Sequence, residues 1–290
     1  MLRFWLYVAA MSKTSAASAQ TGPRSTSGTN MSVQRALGVL TLFAEHGPVL
    51  RVGEVARLCG LGASTASRLL ATLVDADLLE RDTTGSYQLG SAVITLAGVA
   101  LNRSSLYREA RTVAYEISTD TGLGVNVAEL RDGKVFYLLH FDGRLAPRSY
   151  TLMGRRNPLH ATGLGKCLLA DLSPDERLRL VGAGPFDSYT AHTLTDPASL
   201  DEHLRLVGAR GYATEREELA LSRACVAAPI RGRGNAVVAA ISISGPLSAL
   251  RLEDREPELS RMVIEAADRI GAAVGAVHAS PTDKQGVIQT

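Results

Sequence analysis

The sequence predicts an α+β chain in two units. The first is a winged helix-turn-helix; the second follows a linking helix and is built on a largely antiparallel sheet. Three observations carry this. Residues 52–82 run as an apolar-patterned segment, a glycine-marked turn, a hydroxyl-rich helix start and the beginning of a hairpin. Further along, strand-like alternation and helical stretches take turns, separated by Gly- and Pro-marked breaks. The 290 residues are enough for two domains with separate cores.

Val33, Leu37, Leu40, Thr41 and Ala44 share one face at helical spacing, widened by Leu42 and Phe43. Ser32–His46 is therefore the expected first helix, with Ser32 as N-cap and Gly47-Pro48 as its stop. Val52–Leu58 is a short second helix ended by Gly60. Gly62–Ala76 is the third, with Ser64 as candidate cap and Leu69, Leu70, Leu73 and Val74 turned inward. Leu78–Asp82 and Ser86–Leu89 are strand-like runs flanking the turn Thr83-Thr84-Gly85. Ser91–Leu101 is an apolar connecting helix whose surplus of aliphatic residues predicts packing against a partner subunit. Leu106–Thr121, closed by Gly122, opens the second domain.

In that domain Val125–Glu129 and Lys134–Phe141 are strands around the turn Arg131-Asp132-Gly133, and Tyr150–Met153 is a third short run. Gly163–Ala170 is helical. Ser173 caps another helix that has Pro174 at its first position. Leu200–Gly208 is a further helix with Gly211 beyond it. Cys225–Ile230 and Ala236–Ser244 are strands joined by Gly232-Arg233-Gly234-Asn235. Leu259 and Met262–Val277 form the closing helix, with Pro257 near its start.

Composition excludes some function classes. Net charge is +2, and Ser32–Gly90 holds five arginines against six acids, so this unit has no basic footprint of its own. Any nucleic-acid contact must come from arginines placed on one face, from a dimer, or from the tail bases Arg3, Lys13 and Arg24. Cys59, Cys167 and Cys225 are far apart and lack Cys-x-x-Cys spacing, which points to a reducing, cytoplasmic setting and against zinc or any other metal. Met1–Met11 reads as an over-extended start or a tail rather than a signal peptide, and it is far too short to span a membrane. Met11 and Met31 are alternative starts, and Ser12–Asn30 has the composition of a disordered segment.

Ser64, Thr65, Ser67 and Arg68 offer hydroxyl and guanidinium groups at a helix start, suited to phosphates and base edges, beside the plain role of helix start and solvated surface. Arg68 fits a guanine edge or a phosphate equally. Arg51 and the wing residues Thr83, Thr84 and Ser86 are candidates for backbone contact. Gly163-Leu164-Gly165-Lys166 is not a phosphate loop, because His160 and Cys167 stand where that motif needs Gly and Ser or Thr. Nor is it a dinucleotide fingerprint, since Leu168 occupies the third glycine position. It reads as a tight turn opening a helix, with Lys166 in the helix body or at the surface. Ser242 and Ser244 alternate along one strand and so share a face. His160, His192 and Asp196 show no nucleophile, base and orienter pattern, so no catalytic residue is assigned and no cofactor is implied.

Four stretches in order resemble the IclR family of bacterial transcription regulators. They are Gly60–Leu73 followed by Tyr87–Gly90; Pro158–Lys166; Arg210–Ala213 with Glu217-Glu218 and Cys225–Ile230; and Ala239–Pro246. The resemblance spans roughly Ser32–Ala279. It implies a DNA-binding winged helix and a GAF-like small-molecule domain acting as a homodimer or homotetramer. It also implies main-chain donors at Gly163 and Leu164 for an effector carboxylate, with Glu215 and Cys225 lining the same pocket. The shared face of Ser242 and Ser244 is read beside it as a polar floor with Cys225, or as a sheet face hydrogen-bonded to its own neighbours. Two departures stand out. Ala63 replaces a basic residue common in the family, and Ser222-Arg223-Ala224 precedes the cysteine with its arginine shifted by one position, from which Arg223 is expected to reach the effector.

The expected division is a tail or over-extended start at 1–31, a winged helix-turn-helix at 32–90, a linker helix at 91–104, a GAF-like effector-binding domain at 105–280 and a tail at 281–290. The expected function is a ligand-responsive regulator, not an enzyme. Its partners are double-stranded operator DNA of palindromic sequence and a small organic acid. The rival reading is an α+β small-molecule-processing enzyme with a helical interaction module.

Overall fold

The structure, a computed structural model, describes residues 30–145 and 152–277. Apart from Asn30 and Met31, the expected tails lie outside these residues, as does part of the run expected at Tyr150–Met153. The chain divides into two compact units at Arg103/Ser104.

The first unit contains α1 (Met31–Glu45), α2 (Val52–Cys59), α3 (Ala63–Asp75), the hairpin β1 (Leu79–Arg81) and β2 (Tyr87–Leu89), and α4 (Ser91–Arg103). The cap of α1 is Asn30, not Ser32. The Asn30 carboxamide oxygen accepts from the backbone N–H of Ser32 at 3.0 Å and of Val33 at 3.3 Å, which places Ser32 inside the first turn. Gly60 ends α2 in the left-handed conformation, at φ +63°, which a side chain disfavours. Val39, Phe43, Val55, Ala66, Leu70, Leu79 and Tyr87 form the core of this unit. Leu50 and Tyr87 exchange both backbone hydrogen bonds, at 3.0 and 2.8 Å, an isolated bridge that ties the segment before α2 to the wing. No residue of α4 is buried within the chain, and Ile94 is 75% exposed.

The second unit runs α5 (Ser105–Thr121), β3 (Gly124–Arg131), β4 (Lys134–Phe141), β5 (Arg156–Asn157), α6 (Gly163–Leu169), α7 (Pro174–Val181), α8 (Pro197–Arg210), β6 (Ala213–Arg216), β7 (Arg223–Arg231), β8 (Val237–Pro246), α9 (Leu247–Leu250) and α10 (Leu252–Val277). Leu152 and Met153 are not strand, and the sheet edge is Arg156–Asn157 instead. Pro257 falls inside α10 rather than near its start. The sheet order is β5-β4-β3-β8-β7-β6, with every pair antiparallel.

Cross-strand partners share a face, so the register assigns the two sides of the sheet. Val125, Val226 and Ile243 stand in one row, with Val127, Ala228 and Ile241 in the next. This apolar side packs toward α5 and α10. The opposite side carries Ala128, Ala213, Ala227 and Ala240, small residues that let α6 come close. Every residue of α6 is buried. The approach leaves no room for side chains at the helix start. A Cβ at Gly163 would lie 2.7 Å from Cys225 Sγ, and one at Gly165 would lie 2.1 Å from the Leu159 carbonyl oxygen.

This geometry sets a prediction. Gly165→Ala must push backbone away from backbone and should cost at least about 2 kcal/mol in denaturant unfolding. Gly38→Ala on α1, where an added Cβ meets nothing within 4 Å, should be neutral or stabilising by up to about 1 kcal/mol.

Candidate functional site

On α3 the buried residues Ala66, Leu70 and Leu73 face the core. Helical spacing then puts Ser64, Ser67, Arg68 and Ala71 on the opposite, exposed stripe, with half-buried Thr65 at its flank. Ser64 is not the cap. The N-cap is Gly62, and no side chain closes the helix start, because Gly62 offers none and Ser64 lies one residue inside Ala63. The first N–H groups of α3 therefore face solvent at the positive end of the helix dipole. Arg51, at the N-cap of α2, is exposed, and its backbone N–H donates to Glu54 at 2.8 Å.

The wing turn is organised by Asp82. Its Oδ1 accepts from Thr84 N–H at 2.8 Å, Thr84 O–H at 2.7 Å and Ser86 N–H at 2.8 Å. These bonds hold the Asp82 carboxyl below its ordinary range. Thr83 and Thr84 are exposed. Ser86 is not a surface contact. It is 5% exposed, with its hydroxyl 3.1 Å from that of Thr84, because the tight turn folds it inward. It supports the wing and leaves the contact set.

In the second unit the register places Glu215, Cys225 and Ser244 in one row across the sheet, with Ala227, Ser242 and Asn126 in the next. Both rows lie on the side covered by α6, where a Cβ at Gly163 would meet Cys225, Ala227 and Glu215. Arg223, two residues before Cys225 on the same strand, shares this side and is half-buried. Gly163 N–H is hydrogen-bonded to the Cys225 sulfur, whereas Leu164 N–H has no partner among the described residues. Thr162 caps the helix by accepting from Gly165 N–H at 3.0 Å. Burial pushes the Cys225 thiol well above its usual range, so it is a neutral group and not a nucleophile.

Glu215 is pushed up to about 7, first by burial and then by neighbouring Glu218. Its Oε1 accepts from the backbone N–H of Glu218 at 2.7 Å and of Leu219 at 3.4 Å. Lys166 is neither solvated nor peripheral: it is 0% exposed. Its ammonium donates to Glu218 Oε1 at 2.5 Å and to the Thr214 carbonyl at 3.3 Å, and lies 3.2 Å from His203 Nδ1. Helix α6 is enclosed on all sides, so a lysine there must find internal acceptors.

The sequence alone did not single out Asn126 or His140. Asn126 is 3% exposed and bonds to Ser242, Ser244 and His140. Their only signal was alternation along β3 and β4, which identifies a face but not a cross-strand partner. His160 has a structural place, with Nε2 3.0 Å from the Asp187 carbonyl and its ring beside Phe186 and Tyr189.

Comparison with known proteins bears on both units. A model of the IclR helix-turn-helix domain matches residues 32–83, and a model of the bacterial transcriptional regulator IclR C-terminal matches residues 98–272. The chain is 35% identical over 243 residues to the HTH-type transcriptional regulator BhcR of Paracoccus denitrificans, covering 83% of this chain and 86% of that protein. It is 31% identical over 247 residues to the transcriptional repressor IclR of Escherichia coli, covering 84% and 90%. An IclR homolog from Microbacterium hydrocarbonoxydans, solved in complex with 4-hydroxybenzoate, aligns with a TM-score of 0.74 at 26% identity, covering 84% of this chain and all but 1% of that one (99%).

Two predictions follow from the buried charges. Lys166→Met leaves Glu218 uncompensated and should cost about 3–5 kcal/mol in unfolding, much of it recovered in Lys166→Met/Glu218→Leu. The second concerns pH. Folding raises Glu215 above its ordinary 4.5, so the stability it contributes is full below that value and is lost as pH rises through about 7. Between pH 4.5 and 7, wild type should lose roughly 3 kcal/mol more stability than Glu215→Gln, measured by unfolding at each pH.

Proposed function

The chain belongs to the IclR family of bacterial transcriptional regulators, and from that premise we propose that it binds a palindromic operator as a homodimer or homotetramer and responds to a small organic acid. It is a DNA-binding regulator rather than an enzyme, which sets the rival reading aside. Among the described residues no helix is long and apolar enough to cross a membrane, and the proposed place of action is the cytoplasm.

The observation that carries the DNA reading is the exposed stripe Ser64, Ser67 and Arg68 beside an uncapped helix start. The stripe enters a major groove; Arg51, Thr65, Thr83 and Thr84 take phosphates along its edges. Near-neutral charge in this unit makes side-chain placement, rather than bulk attraction, the source of affinity. Assembly is supported by the aliphatic residues left exposed on α1 and α4, namely Val33, Leu37, Ile94, Leu96 and Val99.

The effector reading is supported by the polar rows under α6. Leu164 supplies a main-chain N–H group and Gly163 one that the ligand takes over from the Cys225 sulfur, Ser242 and Ser244 supply hydroxyls, Cys225 and Glu215 form the wall, and Arg223 pairs with the carboxylate. The homolog that holds 4-hydroxybenzoate supports an organic acid. The acid acts by binding more tightly to one of two arrangements of the DNA-binding units.

The test is binding of the purified protein to its own upstream intergenic DNA across salt, with 4-hydroxybenzoate, benzoate and acetate as trial acids. Specific, salt-sensitive binding that one acid alters is expected. Arg68→Ala should weaken it about tenfold to a hundredfold. Absence of specific binding with and without acids would overturn the proposal.

A further inference from the structure

We infer that a proton enters the site with the effector and lodges on Glu215, so that the acid binds as an anion accompanied by one hydrogen ion and its hold weakens in alkaline solution. The inference rests on the effector reading above and deepens it by naming how that site is regulated.

Glu215 stands where the incoming carboxylate must come. A Cβ at Gly163, in the first turn of α6, would lie 3.7 Å from Glu215 Cβ. An acid held by the Gly163 and Leu164 N–H groups therefore lies against the Glu215 side chain, and that residue is only 8% exposed. Two carboxylates so close and so far from water repel each other, and a proton on one of them relieves the repulsion. The nearby cations are already engaged. Lys166 is committed to Glu218, whose Oε1 it meets at 2.5 Å. Arg223 is given to the incoming carboxylate by the effector reading. Arg216, next to Glu215 on β6, is exposed on the other side of the strand and pairs with Glu253.

Of the two buried carboxyls, Glu215 is the one placed to take the proton. The main-chain bonds it accepts, from Glu218 and Leu219, both fall on Oε1, and Oε2 takes part in neither. A hydrogen on Oε2 breaks neither bond and turns the group into a donor toward the acid. Burial raises Glu218 as well, but the Lys166 ammonium bonded to it holds its charge. Cys225, opposite Glu215 on β7, and Cys167 on α6 are thiols pushed up by burial, and both stay neutral with or without an acid. His203 on α8 is held toward its neutral form by burial and by Lys166. His140 lies farther along the same face, behind Asn126. Burial and Glu218 already push Glu215 up to about 7, and a bound carboxylate pushes it higher. A group raised by binding favours binding fully below its free value, and that contribution is lost as pH rises through about 7.

The test is calorimetry on the full chain, titrating 4-hydroxybenzoate, benzoate and acetate in buffers of different ionisation heat. The dependence of the observed heat on the buffer gives the protons taken up per acid bound. For wild type, uptake should approach one proton at about pH 8 and shrink toward zero at about pH 6, with affinity falling up to about tenfold per pH unit above about pH 7. Glu215→Gln keeps an oxygen for the two main-chain N–H groups and an NH2 that donates to the acid. It should bind without proton uptake, at an affinity that is flat across this range. His203→Gln should keep the wild-type uptake. Should Glu215→Gln fail to bind, wild type decides alone: the infrared carbonyl band of a protonated carboxyl must grow as acid is added in alkaline buffer, with a carbon-13 carboxyl label setting the acid's own band apart. Acid binding without proton uptake in alkaline buffer, uptake that persists in Glu215→Gln, or absence of that band overturns the inference and leaves the effector reading standing. Failure of wild type to bind any acid overturns both.

Discussion

The close seating of α6 on the sheet is the constraint from which the second unit follows. A helix normally stands off a sheet by the depth of its side chains; here glycines at 163 and 165 and alanines beneath them remove that depth. The gain is dense packing in which each methyl group is felt. The consequence is that Glu215, Cys225 and the first turn of α6 come together in one small region. Polar atoms there are paired with one another or with main chain, and a few donors are left over for something else.

The same closeness explains the buried lysine. An ammonium held at 0% exposure carries a large desolvation cost, offset only where its donors are matched and the geometry is good. Lys166 meets a carboxylate, a carbonyl and an imidazole nitrogen, which ties α6 to α8, β6 and the segment after β6. That segment is held from its other side as well. The hydroxyls of Thr190 and Thr193 donate to the carbonyls of Glu217 and Glu218, each at 2.6 Å. The pair thus acts less as a source of net stability than as a device that fixes one arrangement of the connection between β6 and β7.

How much was legible in the sequence follows from the range of each interaction. The helix-turn-helix was readable because glycine, hydroxyl and aliphatic signals there act within a turn or two of chain. The helix starts were less so. Asn30 rather than Ser32, and Gly62 rather than Ser64, depend on which residue leaves helical backbone angles first. Asp196 caps α8 and precedes Pro197, an entry signal that aliphatic spacing from Leu200 had hidden. Strand β6, Ala213–Arg216, has only four residues, two of them charged, and offers no apolar period. The shared face of Ser242 and Ser244 was visible from strand alternation alone. Asn126 and Lys166 were invisible as site residues because their partners lie up to 118 positions away and meet them only through sheet register or helix burial.

The start of α3 has a consequence for how the free and bound protein differ. Helix α1 is closed by the Asn30 carboxamide, whereas α3 begins at a glycine with nothing to offer its leading amides. An open first turn frays readily on its own. In the proposed complex a backbone phosphate placed there would supply the acceptor the sequence omits, and nucleic acid would become in effect the last residue of the fold. Recognition and completion of the helix would then be one event, with an ill-fitting duplex leaving the turn unfinished.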